Sequence, residues 1–378
     1  MSSLTEPPFV TLTSGDLLAS AAQTLVNTVN CVGIMGKGIA LAFKQRYPDM
    51  FDDYVKRCSR GEVQLGRPYL YQADDHLIVN FPTKRHWRAS SRFDDIVAGL
   101  DYLERHYREW GITSIAVPPL GCGNGQLEWE VIGPTLYRRL SGLGIPVELY
   151  APHDPHRAAG PRVLADTAQH HATGSTGRGL AESWIAVIAA LEQIQQQPHH
   201  WPIGRPAFQH LAYFATQAGI STGLTFQGSP HGPHAADLKQ TIARLHNNGL
   251  ITERQDGNTV EVCIGPTYQD VAEQFRDVLK SFEPAVDKTA DLMSRMDTPT
   301  SEIAVYLHHI AITLHQQHGQ PPTTARVMDA AAEWTRHRQP PVSHDSIIQA
   351  LAVLALRGWT QVTLDDEFAS LLDDLVTP

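Results

Sequence analysis

Over the first 150 residues the hydrophobic pattern changes period repeatedly. Short β-branched or apolar runs read as strands: PFVTLTS, TLVNTVN, PYLYQ, HLIVNFPT, SIAVPPL and PVELYAP. PYLYQ and HLIVNFPT are predicted to pair around the turn residues Asp74 and Asp75. Between the strands lie stretches of helical period. Gly15 and Asp16 open a short one, DLLASAA, and GKGIALAFKQRYP starts another with Leu41, Ala42 and Phe43. SRFDDIVAGLDYLERHYREWG has Ile96, Leu100, Leu103 and Tyr107 at helical spacing, with Ser91 expected as its cap and Gly111 as its stop. WEVIGPTLYRRLSGLG is the next helix, which requires Pro134 near its start. Strands alternating with helices predict a sheet sandwiched between helices, a three-layer α/β/α fold with a mixed sheet.

Residues 153–177 lack apolar periodicity and are rich in Ala, Gly, Thr and His, the composition of a linker. The division expected is therefore 1–152, a linker over 153–177, and a second region over 178–378. That second region reads as mainly helical. LAESWIAVIAALEQIQQQ places Trp184, Ile188 and Leu191 on one face, and AFQHLAYFATQAG follows. AADLKQTIARLHNNGLITERQDGNTVEVCIG then gives a helix, a break at NNGL, and two strands around Asp256 and Gly257, the order of a winged helix within about 205–265. Further helices are predicted at about 268–295, 301–318, 323–337 and 344–357.

Charge narrows the partners. Residues 1–150 carry 15 Lys+Arg and 16 Asp+Glu, a net of −1; residues 151–378 carry 15 and 24, a net of −9. An acidic second region is ill suited to neutralising phosphates, so it is not expected to bind DNA tightly. No apolar run reaches the length of a membrane span, and the N-terminus lacks the pattern of a signal peptide. Cys31, Cys58, Cys122 and Cys263 are scattered without a CxxC pair, which suits a reduced, cytoplasmic protein without disulfides or structural zinc. Sixteen of the 19 histidines fall in the second half, with pairs at 170–171, 199–200 and 308–309, but in no HExxH or finger spacing. They are read as compositional; neither a metal nor a cofactor is expected.

Two loops carry the candidate chemistry. In PPLGCGNGQLEW, Gly121, Gly123 and Gly125 alternate with Cys122 and Asn124 after a buried strand. Such a bare backbone turns successive N–H groups toward one point and binds phosphate oxygens, although glycines also serve ordinary strand-to-helix turns. In NTVNCVGIMGKGIALAF, Gly33, Gly36 and Gly38 again follow a strand and precede a helix, with Asn27 and Asn30 supplying amides able to hold hydroxyls. Two such loops at the ends of strands of one sheet imply a cleft. Lys37 is followed by Gly38, so the stretch is not a Walker sequence, and it is not GxGxxG.

GDLLASAAQTLVNTVNCVGIMGKGIALAF with LGCGNGQLEW resembles a macrodomain, the ADP-ribose-binding fold, and VNTVNCVGIMGKGIALAFKQRYP with NFPTKRHWRASS is similar to the DarG branch. The resemblance covers residues 9–151. It implies an antitoxin whose macrodomain removes ADP-ribose from thymidine bases of DNA modified by a DarT-type toxin, and a C-terminal region that binds that toxin. By the same resemblance Asp16 receives the adenine amino group, beside Leu17, and Asn30 holds the distal ribose. Gly33, Ile34, Met35, Gly36, Lys37 and Gly38 wrap that ribose, and Gly121, Cys122, Gly123, Asn124 and Gly125 cradle the diphosphate. Lys84, in NFPTKRHW, matches the catalytic residue. Its amine can attack a carbonyl-level anomeric carbon to form a Schiff base when neutral, so partial desolvation should lower its pKa. Taken by themselves, Asp16 also reads as a helix cap, Asn30 as a turn asparagine and Lys84 as a surface charge. Arg85, Arg88 and Arg92 form a basic cluster fit either for DNA phosphate or for solvent. Relatives acting on protein glutamates carry an aspartate in the second loop where this chain has Gly125, which favours the DNA-directed branch. Two other readings stay open: an ADP-ribose-sensing winged-helix regulator, and a glycohydrolase acting on protein glutamates.

Overall fold

Strand positions that alternate between two apolar environments build a sheet covered on both faces, and β2 (Thr24–Asn30) does this most clearly. Leu25 and Val29 face one apolar cluster while Val26 faces another. The computed structural model describes residues 9–152, 182–228, 232–257, 259–335, 342–365 and 368. By its contacts the chain divides into two compact units. The first comprises Met1–Leu180 with Ala243–Leu250 and Gly265–Gln274; the second comprises Ala181–Ile242, Ile251–Ile264 and Phe275–Pro378. The predicted linker, 153–177, lies outside the described residues.

In the first unit, β1 (Val10–Thr13), β2, β3 (Tyr69–Gln72), β4 (Leu77–Lys84), β5 (Ile115–Val117) and β6 (Val147–Tyr150) form one sheet in the order β1-β6-β5-β2-β4-β3. All neighbours run parallel except β3, which pairs antiparallel with β4 as the Asp74–Asp75 turn predicts. One face is covered by α1 (Gly38–Arg46) and α2 (Pro48–Ser59), whose Phe43, Met50 and Tyr54 pack with Leu25, Val29 and Ile78. The other is covered by α3 (Phe93–His106) and α4 (Trp129–Ser141), whose Ile96, Leu100 and Leu136 pack with Val26, Val79 and Phe81. At Gly99 a Cβ would sit 2.3 Å from the Phe81 ring, so glycine is what lets α3 approach the sheet.

Several local expectations change. The apolar pattern missed α2, whose polar composition is amphipathic and buries only Met50 and Tyr54. The segment opened by Asp16 is a 3-10 turn, Leu17–Ala19, shorter than the helix expected. Ser91 does not cap α3: the N-cap is Arg92, without a side-chain bond, and the Ser91 hydroxyl is buried elsewhere. Pro134 is tolerated as the sixth residue of α4.

The second unit is mainly helical, as expected. Its α5 (Glu182–Gln195) is apolar nearly all round and packs on α9 (Arg276–Met293). The order of α7 (Leu238–Asn247) followed by the hairpin β7 (Ile251–Asp256) and β8 (Thr259–Ile264) is present as predicted. The stretch expected as one helix at about 268–295 is two, α8 (Tyr268–Gln274), which belongs to the first unit, and α9 in the second. α10 (Thr298–His318) packs on α6 (Arg205–Gln217), on α11 (Thr324–Thr335) and on α12 (His344–Leu356).

Candidate functional site

The C-terminal ends of β5, β2 and β4 lie side by side at one edge of the sheet, where a doubly covered parallel sheet opens to ligands. Each end carries part of the predicted site. β2 runs into the loop Cys31–Lys37, β5 leads to the loop Gly121–Leu127, and β4 ends on Lys84.

Asn30 sets the first loop. Its Nδ2 donates to Ile34 O at 2.5 Å, and its Oδ1 accepts from Val32 N–H at 3.0 Å and from the Tyr54 hydroxyl at 3.0 Å. Tyr54 also donates to Asn30 O at 2.9 Å, so α2 holds the loop from beneath. Gly33 and Gly38 have φ of +79° and +58°, values costly for any residue with a Cβ. Met35 is buried beneath the loop, whereas Ile34, Gly36, Lys37 and Gly38 are exposed. The loop ends at α1, whose N-cap residue Lys37 makes no side-chain capping bond, and no acid stands in the first turn. That leaves the helix N-terminus suited to an anion. Asn27 is corrected: it is fully buried, and its Nδ2 donates to Asn80 Oδ1 at 2.9 Å, so it faces no hydroxyl in a cleft.

The second loop owes its glycines to packing and to backbone conformation. At Gly121 a Cβ would lie 2.5 Å from Leu127 Cδ1, and at Gly125 it would lie 2.4 Å from Ser91 Oγ. At Gly123, with φ +66°, nothing lies within 4 Å. Gly125 is thus required by packing, Gly123 by conformation over open space, and Gly121, with φ +77°, by both. A side chain at Gly125, an acid included, would have to displace Ser91. Burial pushes the Cys122 thiol up to about 12, so it stays protonated. The two loops adjoin: a Cβ on Gly38 would come 3.5 Å from Asn124 Nδ2.

Lys84 joins the strands to this second loop. The β2–β4 register pairs Val29 with Pro82 but Asn30 with Lys84, leaving Thr83 as an extra residue. Such an irregularity re-aims the side chain that follows it. The Lys84 Nζ donates to Asn124 O at 2.8 Å. Burial lowers its pKa below the ordinary lysine value, and among the described residues no carboxylate lies within ion-pair distance to raise it again.

Residues beyond those expected brace the arrangement. Ser91 N–H donates to Gly125 O at 2.8 Å and Ser90 Oγ to Gln126 Oε1 at 2.8 Å, tying the segment after β4 to the second loop. Gln126 takes φ +65°, a left-handed conformation without glycine. Tyr54 was foreseeable from its spacing with Met50; the serine braces carry no local signal. Asp16 and Leu17 stand at the end of β1, on the far side of β6 and β5 from β2. Asp16 is exposed and its Oδ1 accepts from Leu18 N–H at 3.0 Å, the cap reading; Leu17 is buried in the same apolar cluster as Met35. Among the described residues no hydrogen bond or ion pair joins Asp16 to either glycine loop. The site thus brings two glycine loops with exposed backbone and a half-buried amine to neighbouring strand ends.

The signature of the Macro domain family matches residues 26–133. A protein named DNA ADP-ribosyl glycohydrolase from Thermus aquaticus is 34% identical over 290 residues, 75% of this chain and 77% of that one. A DNA ADP-ribosyl transferase–DNA ADP-ribosyl glycohydrolase fusion protein from Thermosipho africanus is 37% identical over 180 residues, 42% of this chain and 46% of that one. Among solved structures, the macrodomain of Mycobacterium tuberculosis DarG is 51% identical, covering 38% of this chain and 98% of that one with a TM-score of 0.37.

Proposed function

The chain belongs to the DarG family of DNA ADP-ribosyl glycohydrolases, and on that premise we propose that its first region hydrolyses ADP-ribose from thymidine bases of DNA modified by a DarT-type toxin. The region after about residue 178 binds that toxin. The observation that carries the first part is the placement of Lys84: a half-buried amine with a lowered pKa, 2.8 Å from Asn124 O on the glycine loop.

The residues divide the work. Gly121–Gly125 and the uncapped start of α1 hold the diphosphate by backbone N–H groups. Gly33–Gly38, locked by Asn30 and Tyr54, wrap the distal ribose, and Asp16 with Leu17 receives the adenine. Lys84 attacks the anomeric carbon as the bond from that carbon to the base nitrogen breaks; the base departs with a proton. The sugar ring opens to a Schiff base on Nζ. Water then adds to the same carbon, expels the amine and releases ADP-ribose. The absence of a side chain at Gly125 fits chemistry in which the amine, not a loop acid, is the nucleophile.

Toxin binding is supported by the net charge of −9 over residues 151–378, which suits a partner built to hold DNA, and by the fusion of both activities in the Thermosipho relative. The test incubates the full chain with ADP-ribosylated thymidine oligonucleotide and with ADP-ribosylated protein and measures release from each. Release from DNA that is lost in Lys84→Ala, with ADP-ribose binding retained in calorimetry, is the expected result; release from protein glutamates alone refutes it. Co-purification of Lys84→Ala full chain with the toxin, weakening as salt rises, checks the second part.

A further inference from the structure

We propose that Trp87, with Arg88, is a stacking platform for an unpaired base next to the modified nucleotide, and so sets the preference for single-stranded DNA over an isolated nucleoside. This rests on the reading of the substrate as ADP-ribosylated DNA.

Trp87 lies three residues past Lys84 at the tip of a tight turn. Ala89 N–H donates to His86 O at 2.9 Å and Arg88 N–H to His86 Nδ1 at 3.2 Å, so Trp87 and Arg88 occupy the turn's centre. The turn is anchored on every side. Before it, Lys84 Nζ holds Asn124 O and Cys31 N–H holds Arg85 O at 3.1 Å. After it, Ser90 bonds Gln126 and Ser91 bonds Gly125. The turn is held by hydrogen bonds on both sides and leaves Trp87 43% exposed.

The ring is already dressed for a π partner. The Arg88 guanidinium lies 4.4 Å from the indole centroid and the His86 ring 5.4 Å. Neither Arg85 nor Arg88 makes an ion pair among the described residues, whereas Arg92 sits 3.8 Å from Asp94. Cationic groups beside an exposed indole suit a phosphodiester with its base, the arrangement by which single strands are held without sequence readout. The neighbouring first loop adds exposed Val32 and Ile34, and the Cys31–Arg85 hydrogen bond ties it to the turn. Stacking needs a base free of its own neighbours, which a paired duplex does not offer and a single strand does.

The experiment compares release of ADP-ribose from ADP-ribosylated thymidine nucleoside and from a single-stranded oligonucleotide carrying the same adduct, in the wild-type chain, Trp87→Ala and Trp87→Phe. Trp87→Ala should raise KM for the oligonucleotide by about 5- to 150-fold, the range of one base stack, and leave the nucleoside and calorimetric ADP-ribose binding unchanged. Trp87→Phe should recover part of the loss. Equal kinetics of Trp87→Ala and wild type on the oligonucleotide, or an equal loss on both substrates, overturns the platform. If the wild-type chain releases nothing from the oligonucleotide, the substrate reading itself fails. Anisotropy with the unmodified oligonucleotide then decides the platform: binding lost in Trp87→Ala keeps it, and equal binding by both chains, or by neither, removes it.

Discussion

Two buried histidines make the helical region acid-labile. His210 on α6 is 6% exposed, and its Nδ1 bonds Ser301 Oγ at 2.8 Å. Because the Ser301 hydroxyl donates to Thr298 O, it accepts from Nδ1–H. His308 on α10 is 3% exposed, donating from Nε2 to Trp359 O at 3.0 Å and accepting at Nδ1 from the Tyr213 hydroxyl at 2.9 Å. These bonds are the ones two neutral rings make. Burial lowers each from the ordinary 6.5 to about 4, helped at His308 by His309 and Lys288. In the unfolded chain the same rings take a proton near 6.5. The unfolded state thus binds more protons between these values, so stability is full above 6.5 and falls as pH drops toward 4. At roughly 1.4 kcal/mol for every pH unit, each histidine withdraws about 3 to 4 kcal/mol over the window, and the two together about 7. That is a large share of the ~5–15 kcal/mol of a typical domain. The assay is hydrogen–deuterium exchange of peptides from α6 and α10, corrected for intrinsic exchange, in wild type and in the His210→Gln/His308→Gln variant. Peptides from β2, which contains no histidine, serve as a control. Wild-type protection should collapse with acid at a slope of up to about 2.7 kcal/mol per pH unit steeper than the variant's. Parallel slopes between about pH 6.5 and pH 4 would refute the neutral buried pair.

Three further outcomes bear on the site. Hydrolysis should rise with pH as Lys84 loses its proton, with a midpoint below that of an ordinary lysine because burial lowers its pKa; a rate profile of Lys84→Arg, which stays charged, should show no activity over the same range. Gly123→Glu should abolish ADP-ribose binding in calorimetry, since a carboxylate over this open position repels a diphosphate, while stability in thermal unfolding falls only modestly, by the ~1 kcal/mol strain of a side chain at a φ of +66°. Gly125→Ala should weaken binding by displacing the loop from Ser91, and Ser91→Gly in the same chain should restore much of it, because the 2.4 Å clash is with the serine side chain.

Apolar periodicity and glycine placement were enough to foresee the alternating elements of the first unit apart from α2, its edge hairpin, both bare loops and the position of Lys84 at the end of the β4 run. These features follow from local rules: a strand buried on two faces must be apolar on both, and a backbone at positive φ selects glycine. The same rules could not see why three glycines alternate in one loop. Leu127 and Ser91 impose two of them, and Ser91, read locally as a helix cap, lies 34 residues from Gly125 in the chain. The hold of Tyr54 on Asn30, the reach of Lys84 to Asn124, and the neutral state of His210 and His308 are likewise products of contacts between distant segments. Hydrophobic pattern determines which face of an element is buried; which side chain meets which, and with what charge, is decided only when sheet order, helix approach and the irregularity at Thr83 bring those faces together.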